Sequence, residues 1–153
     1  MANRPGGFPQ RRYGPPLTIS VTANADTLNG GGGNDTFVVN TTYGYYNTYS
    51  ESNGGTGTIQ AGVNSAFIGL SNNVGAAGIT TIDANGKTGV SIASNSGVLD
   101  LSHVAVVNAT NPGAVTILAN YNSEVVTGTT GNDRLLASNP IPARNGLILP
   151  SAV

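Results

Sequence analysis

The sequence predicts an all-β fold: a β-solenoid or β-roll-like body with extended, proline-rich arms at both ends. Three observations predict it. Short β-branched runs recur about every ten residues from Ile79 onward, several of them alternating apolar and polar residues as half-buried strands do. Nowhere do apolar residues recur at helical spacing over three turns. Gly, Asn, Thr and Ser make up 70 of the 153 residues, and such small side chains sustain helices poorly but suit narrow stacked coils. An antiparallel β-sandwich or jelly roll is the alternative arrangement of the same strands.

Residues 1–16 form the first element, an arm holding Pro5, Pro9, Pro15 and Pro16. Proline blocks both helix and central strand, so the arm is expected to be extended. It has too few apolar groups to fold on the body. It is therefore expected to bind neighbours, with Arg4, Arg11 and Arg12 pairing with acidic groups or carbonyls and Phe8 and Tyr13 as apolar anchors. Residues 17–138 form a single all-β domain. Strands are expected at 18–21, 37–39, 79–82, 90–92, 98–101, 104–107, 115–118, 125–126 and 135–136, bounded by Asn-Gly, Ser-Gly and Pro-Gly turn signals. Residues 40–78 read as a strand pair with a long polar loop. Parity puts Tyr43, Tyr45 and Tyr49 on one face there and Tyr46 on the other. The first three are candidate contacts for a protein partner or a glycan, and cross-strand packing is their alternative role. Residues 139–153 are again proline-rich and form an extended C-terminal tail.

One motif carries chemistry. Gly30-Gly-Gly-Gly-Asn34-Asp35-Thr-Phe37-Val38 fits G-G-x-G-x-D-x-U-x, where U is a large apolar residue. Glycines allow a tight turn that aims carbonyl oxygens inward, and Asp adds a hard anionic oxygen for a hard cation. Asp26-Thr27-Leu28 is the same triplet nine residues earlier, and Gly128-Thr-Thr-Gly-Asn-Asp133-Arg-Leu-Leu136 is a later copy. These segments resemble the RTX (haemolysin-type) calcium-binding nonapeptide repeats, over about residues 25–38 and 128–136. The resemblance implies a parallel β-roll and Ca²⁺ held by Asp26, Asp35 and Asp133 with Asn34, Gly31 and Gly33. Asp accepting backbone N–H bonds to cap a turn is the purely structural role of the same residues.

Composition narrows the function. A formal charge of -1 leaves no basic face for nucleic acid. No apolar run is long enough for membrane insertion, and the N-terminus has no Sec-type signal peptide. The absence of Cys removes disulfides and thiolate sites. The single His103 makes neither a triad nor a His-cluster site, and the carboxylates read as dispersed or turn-bound. The expected protein is therefore not an enzyme. It is a structural or assembly subunit, a decoration (cement) protein of a virion or a subunit of an extracellular surface layer, with copies of itself and other structural subunits as partners. A type I secreted RTX-like calcium-binding protein and a glycan-binding β module are the alternatives.

Overall fold

A computed structural model describes residues 14–21, 24–110, 115–119, 125–129 and 134–137. Within these residues the chain is all β, without a helix, and winds as a parallel β-solenoid of about four turns. Five strands stack into one sheet in the order β1 (Thr18–Val21), β3 (Gly33–Val39), β5 (Gly55–Ala61), β7 (Ile79–Asp83) and β10 (Ala105–Val107). Six stack into a second, β2 (Thr27–Asn29), β4 (Tyr46–Ser50), β6 (Phe67–Leu70), β8 (Val90–Ser94), β11 (Val115–Ala119) and β13 (Arg134–Ala137). Two short strands, β9 (Val98–Asp100) and β12 (Val125–Thr127), form a third side in the later coils.

Every strand pairing is parallel, which excludes the antiparallel sandwich. Residues 40–78 also differ from expectation. They form β4, β5 and β6 on alternating sides of the solenoid, because tight corners at Ser52–Gly54 and Gly62–Ala66 turn the chain between sheets instead of folding it back on itself. The spacing of coils is uneven. Thr18 lies beside Thr36, Thr36 beside Thr58, and Thr58 beside Thr81, so the second coil adds residues at its corners, while the third takes in one extra residue, Thr80, at a bulge where the register of β7 on β5 shifts.

The interior follows from inward parity. One column runs Ile19, Phe37, Ile59, Ile82 and Val106 across all five strands of the first sheet. Opposite it, Ile68, Ile92 and Ile117 align on the second. Phe37, Ile59, Ile82, Ile68 and Ile92 are wholly buried. Stacking identical or similar residues lets each coil bury its apolar edge on the next, which a single coil cannot do alone.

At the corners the main chains come very close. Gly55 pairs with Gly33, has φ +131°, and a methyl group on it would strike the Gly33 carbonyl oxygen. Gly55→Ala therefore suffers both backbone strain and a main-chain clash. It is expected to cost about 2 kcal/mol or more, read as a lower midpoint in urea unfolding. An unchanged midpoint would show that the corner is not packed this tightly.

Candidate functional site

Asp35 and Glu51 meet inside the solenoid, at the corner that leads into the first sheet. The path there is local at first. Gly31 and Gly33 have φ of +94° and +129°, and the Gly31 N–H donates to Asn29 Oδ1 at 3.0 Å. This turn starts β3 so that Asn34 faces solvent and Asp35 faces inward. Asn34 Oδ1 accepts a bond from the Thr56 hydroxyl at 3.2 Å in the next coil. Asp35 is only 1% exposed, and its Oδ1 accepts the Leu17 N–H at 2.8 Å.

Glu51 arrives from the next coil. The Gly30 N–H donates to Ser50 O at 3.0 Å and the Glu51 N–H to Ala77 O at 2.8 Å. Gly30, Glu51 and Gly78 therefore stack at one corner, with Glu51 in the middle. Asp35 stacks on Gly57 in the same way. The glycines make room for the acids. A methyl group at Gly30 would strike Asp35 Oδ2 and both Glu51 carboxylate oxygens, one at Gly57 would meet Glu51 Oε1, and one at Gly78 would meet Glu51 Cβ.

Asp35 Oδ2, Glu51 Oε1 and Glu51 Oε2 have almost no solvent contact and no hydrogen-bond donor. Two ionised carboxylates are both acceptors, so they bond to each other only when one carries a proton. Burial first, and then Asp35 through a hydrogen bond and its charge, push the Glu51 carboxyl up from 4.5 to about 7. Chemically the pair can share a proton or hold a hard cation. It offers no accessible surface to a substrate.

The other expected site residues disperse. Asp26 lies just before β2, where its N–H donates to Asn47 Oδ1 at 2.8 Å and its charge acts on Tyr49. The acid that faces Asp35 is Glu51 instead. Among the described residues no group of three or more His, Asp or Glu forms a metal cage. Asp133, Arg4, Phe8, Arg11, Arg12 and Tyr13 lie outside the described residues.

The tyrosines divide. Tyr43 and Tyr45 are 71% and 39% exposed at the corner before β4. Their turn is held by the Tyr43 N–H to Thr41 Oγ1 at 3.1 Å and the Tyr45 N–H to Tyr43 O at 2.9 Å. Tyr46 packs edge-on against Phe67 with ring centroids 5.6 Å apart. Tyr49, expected beside Tyr43 and Tyr45 as a contact residue, is wholly buried and meets Phe37 edge-on at 5.4 Å. Parity failed because Tyr43 and Tyr45 precede the strand, in a turn that does not keep its alternation. The Tyr49 hydroxyl accepts from Asn47 Nδ2 at 3.3 Å, and burial pushes its pKa up from 10.0 to about 12.

Sequence reading missed Glu51 as the partner of Asp35. A partial signal was present: Gly33-Asn-Asp35-Thr-Phe37 and Gly55-Thr-Gly57-Thr-Ile59 are one coil apart and align residue by residue. Counted back, that alignment would put Gly30 opposite Ser52; the stack of Gly30 on Glu51 follows the register of β2 on β4, where Asn29 lies beside Ser50. No protein-family model matches this chain, and neither the curated proteins nor the solved structures contain a significant match.

Proposed function

We propose that this protein is a non-enzymatic assembly subunit, a decoration or surface-layer component of a large particle such as a virion, with copies of itself and other structural subunits as its partners. The observation that carries the reading is the Tyr43–Gly44–Tyr45 corner. Two aromatic rings are exposed on one turn, and exposed tyrosine supplies contact area at little entropic cost. The build of the body supports the same reading. A parallel solenoid is rigid along its axis, as a particle surface requires. Its acid pair is of a type that cleaves glycosides in other settings, yet it is sealed from any polymer.

The test is native mass and particle binding of the intact chain. Tyr43→Ser with Tyr45→Ser is expected to leave the melting temperature within about 2 °C, because surface changes seldom exceed ~0.5 kcal/mol. It is expected to reduce self-association or particle incorporation at least tenfold. Undiminished assembly by the double variant, or a strictly monomeric wild type that binds no particle, defeats the proposal. A loss confined to carbohydrate binding would favour the glycan-binding module instead.

A further inference from the structure

We propose that Asn53 is a site of spontaneous modification: the native fold leaves the Asn53–Gly54 pair free to deamidate through a cyclic imide, and the isoaspartate that results loosens the first coils of the solenoid. It stands apart from the assembly reading, since it concerns the chemistry of a single chain.

The structure selects this pair from equals. Asn-Gly occurs four times, at 29–30, 53–54, 85–86 and 145–146, and the last lies outside the described residues. The reaction needs two free groups, the glycine nitrogen as nucleophile and the asparagine side-chain amide as its target. At Asn29-Gly30 both are held. Gly30 is buried and its N–H donates to Ser50 O at 3.0 Å, while Asn29 Oδ1 accepts the Gly31 N–H at 3.0 Å and the Ser52 hydroxyl at 3.2 Å. At Asn85-Gly86 both are held again, the Gly86 N–H by Asn108 O at 2.9 Å and Asn85 Nδ2 by Ala61 O at 3.2 Å. At Asn53-Gly54 neither is. Both residues are exposed, and the Gly54 N–H donates to no group among the described residues. Asn53 Nδ2 reaches only the adjacent Ser52 hydroxyl, at 3.5 Å, the outer limit of a hydrogen bond. Backbone strain does not separate the pairs, because Asn85 is left-handed like Asn53, with φ of +50° against +62°. Hydrogen bonding does. The Gly54 carbonyl accepts the Gly33 N–H at 3.2 Å, a single long tie, so this exposed corner opens locally more readily than the other two.

The step needs only water. The Gly54 nitrogen loses its proton and attacks Asn53 Cγ. The N–Cγ bond forms, the Cγ–Nδ2 bond breaks, and ammonia leaves with a proton, giving a five-membered imide. Water then opens the ring. Cleavage at Cγ gives aspartate, and cleavage at the Asn53 main-chain carbonyl carbon gives isoaspartate, whose main chain runs through Cβ and is one carbon longer. That carbon is added next to Gly55, where not even a methyl group fits against the Gly33 carbonyl oxygen. The start of β5 must then shift on β3.

The intact chain is aged in mildly alkaline buffer, natively and in urea. Peptide mapping by mass spectrometry reads conversion at each asparagine, and enzymatic methylation of isoaspartate marks the longer product. In the native chain Asn53 is expected to convert at least tenfold faster than Asn29 or Asn85, and in urea the three rates are expected to converge. Chains purified with isoaspartate at position 53 are expected to melt several degrees below fresh protein. Asn53→Asp, which carries the same charge without the added carbon, is expected to melt within about 2 °C of wild type. The proposal is overturned if Asn29 or Asn85 converts as fast as Asn53 in the native chain, or if Asn53 converts in urea but not natively. It is equally overturned if the isoaspartate form melts like fresh protein.

Discussion

In metal-free buffer the protein is expected to become less stable as the pH rises from about 4.5 to about 7, by about 1–2 kcal/mol. The sign follows from linkage. The Glu51 carboxyl is raised from 4.5 to about 7 in the fold, so between those values the folded chain holds a proton that the unfolded chain has released. Stability then falls with rising pH. It is fully present below about 4.5, is lost through about 7, and changes no further above that. The magnitude is the shift at ~1.4 kcal/mol per pH unit, reduced by about half because Glu51 as a residue is only partly buried and solvent screens it. Glu51→Gln is expected to remove this slope. Its amide can donate to Asp35 Oδ2, so the variant should also melt several degrees higher than wild type at pH 8 in chelator. Urea midpoints measured from pH 4 to 8 check both points. A wild type whose stability rises through this window, or a variant with an unchanged slope, would show that the two carboxyls do not interact as described.

Phe37→Ala is expected to cost about 3–5 kcal/mol, the usual range for emptying a buried aromatic site. Phe37 is wholly buried between Ile19 and Ile59 in its column and packs edge-on on Tyr49 across the interior. The backbones on either side are pinned by parallel ladders, so the cavity cannot collapse. Because each coil contacts only its neighbours, the loss should be concentrated at the N-terminal end. Hydrogen exchange is expected to speed in β1, β3 and β5 while β8 and β11 stay protected. A cost below about 1 kcal/mol, or uniform loss of protection, would contradict this arrangement.

Most strands were legible in the sequence because their signals are local. Thr18–Val21 alternates by residue, and Ile79–Asp83 and Val115–Ala119 are short β-branched runs with glycine or asparagine close by in the sequence. The stretch from 40 to 78 was less legible. Its corners are short, and β5, Gly-Thr-Gly-Thr-Ile-Gln-Ala, carries one large apolar residue where a strand usually shows two or three. Only stacking between β3 and β7 makes a strand of it.

The candidate site divides along the same line. By itself the sequence determined the all-β character, the glycine turn that introduces Asp35, and the shortage of charge. These depend on backbone conformation and on residue type, which neighbours within a few positions specify. Only the tertiary structure decided that Glu51 faces Asp35, that Tyr49 turns inward while Tyr43 and Tyr45 turn outward, and that Gly30, Gly57 and Gly78 clear space for the acids. These depend on which residue lies above which in the next coil. Coil lengths vary at the corners, so that register cannot be counted along the chain. It is set when apolar columns such as Ile19–Phe37–Ile59–Ile82 align and bury one another.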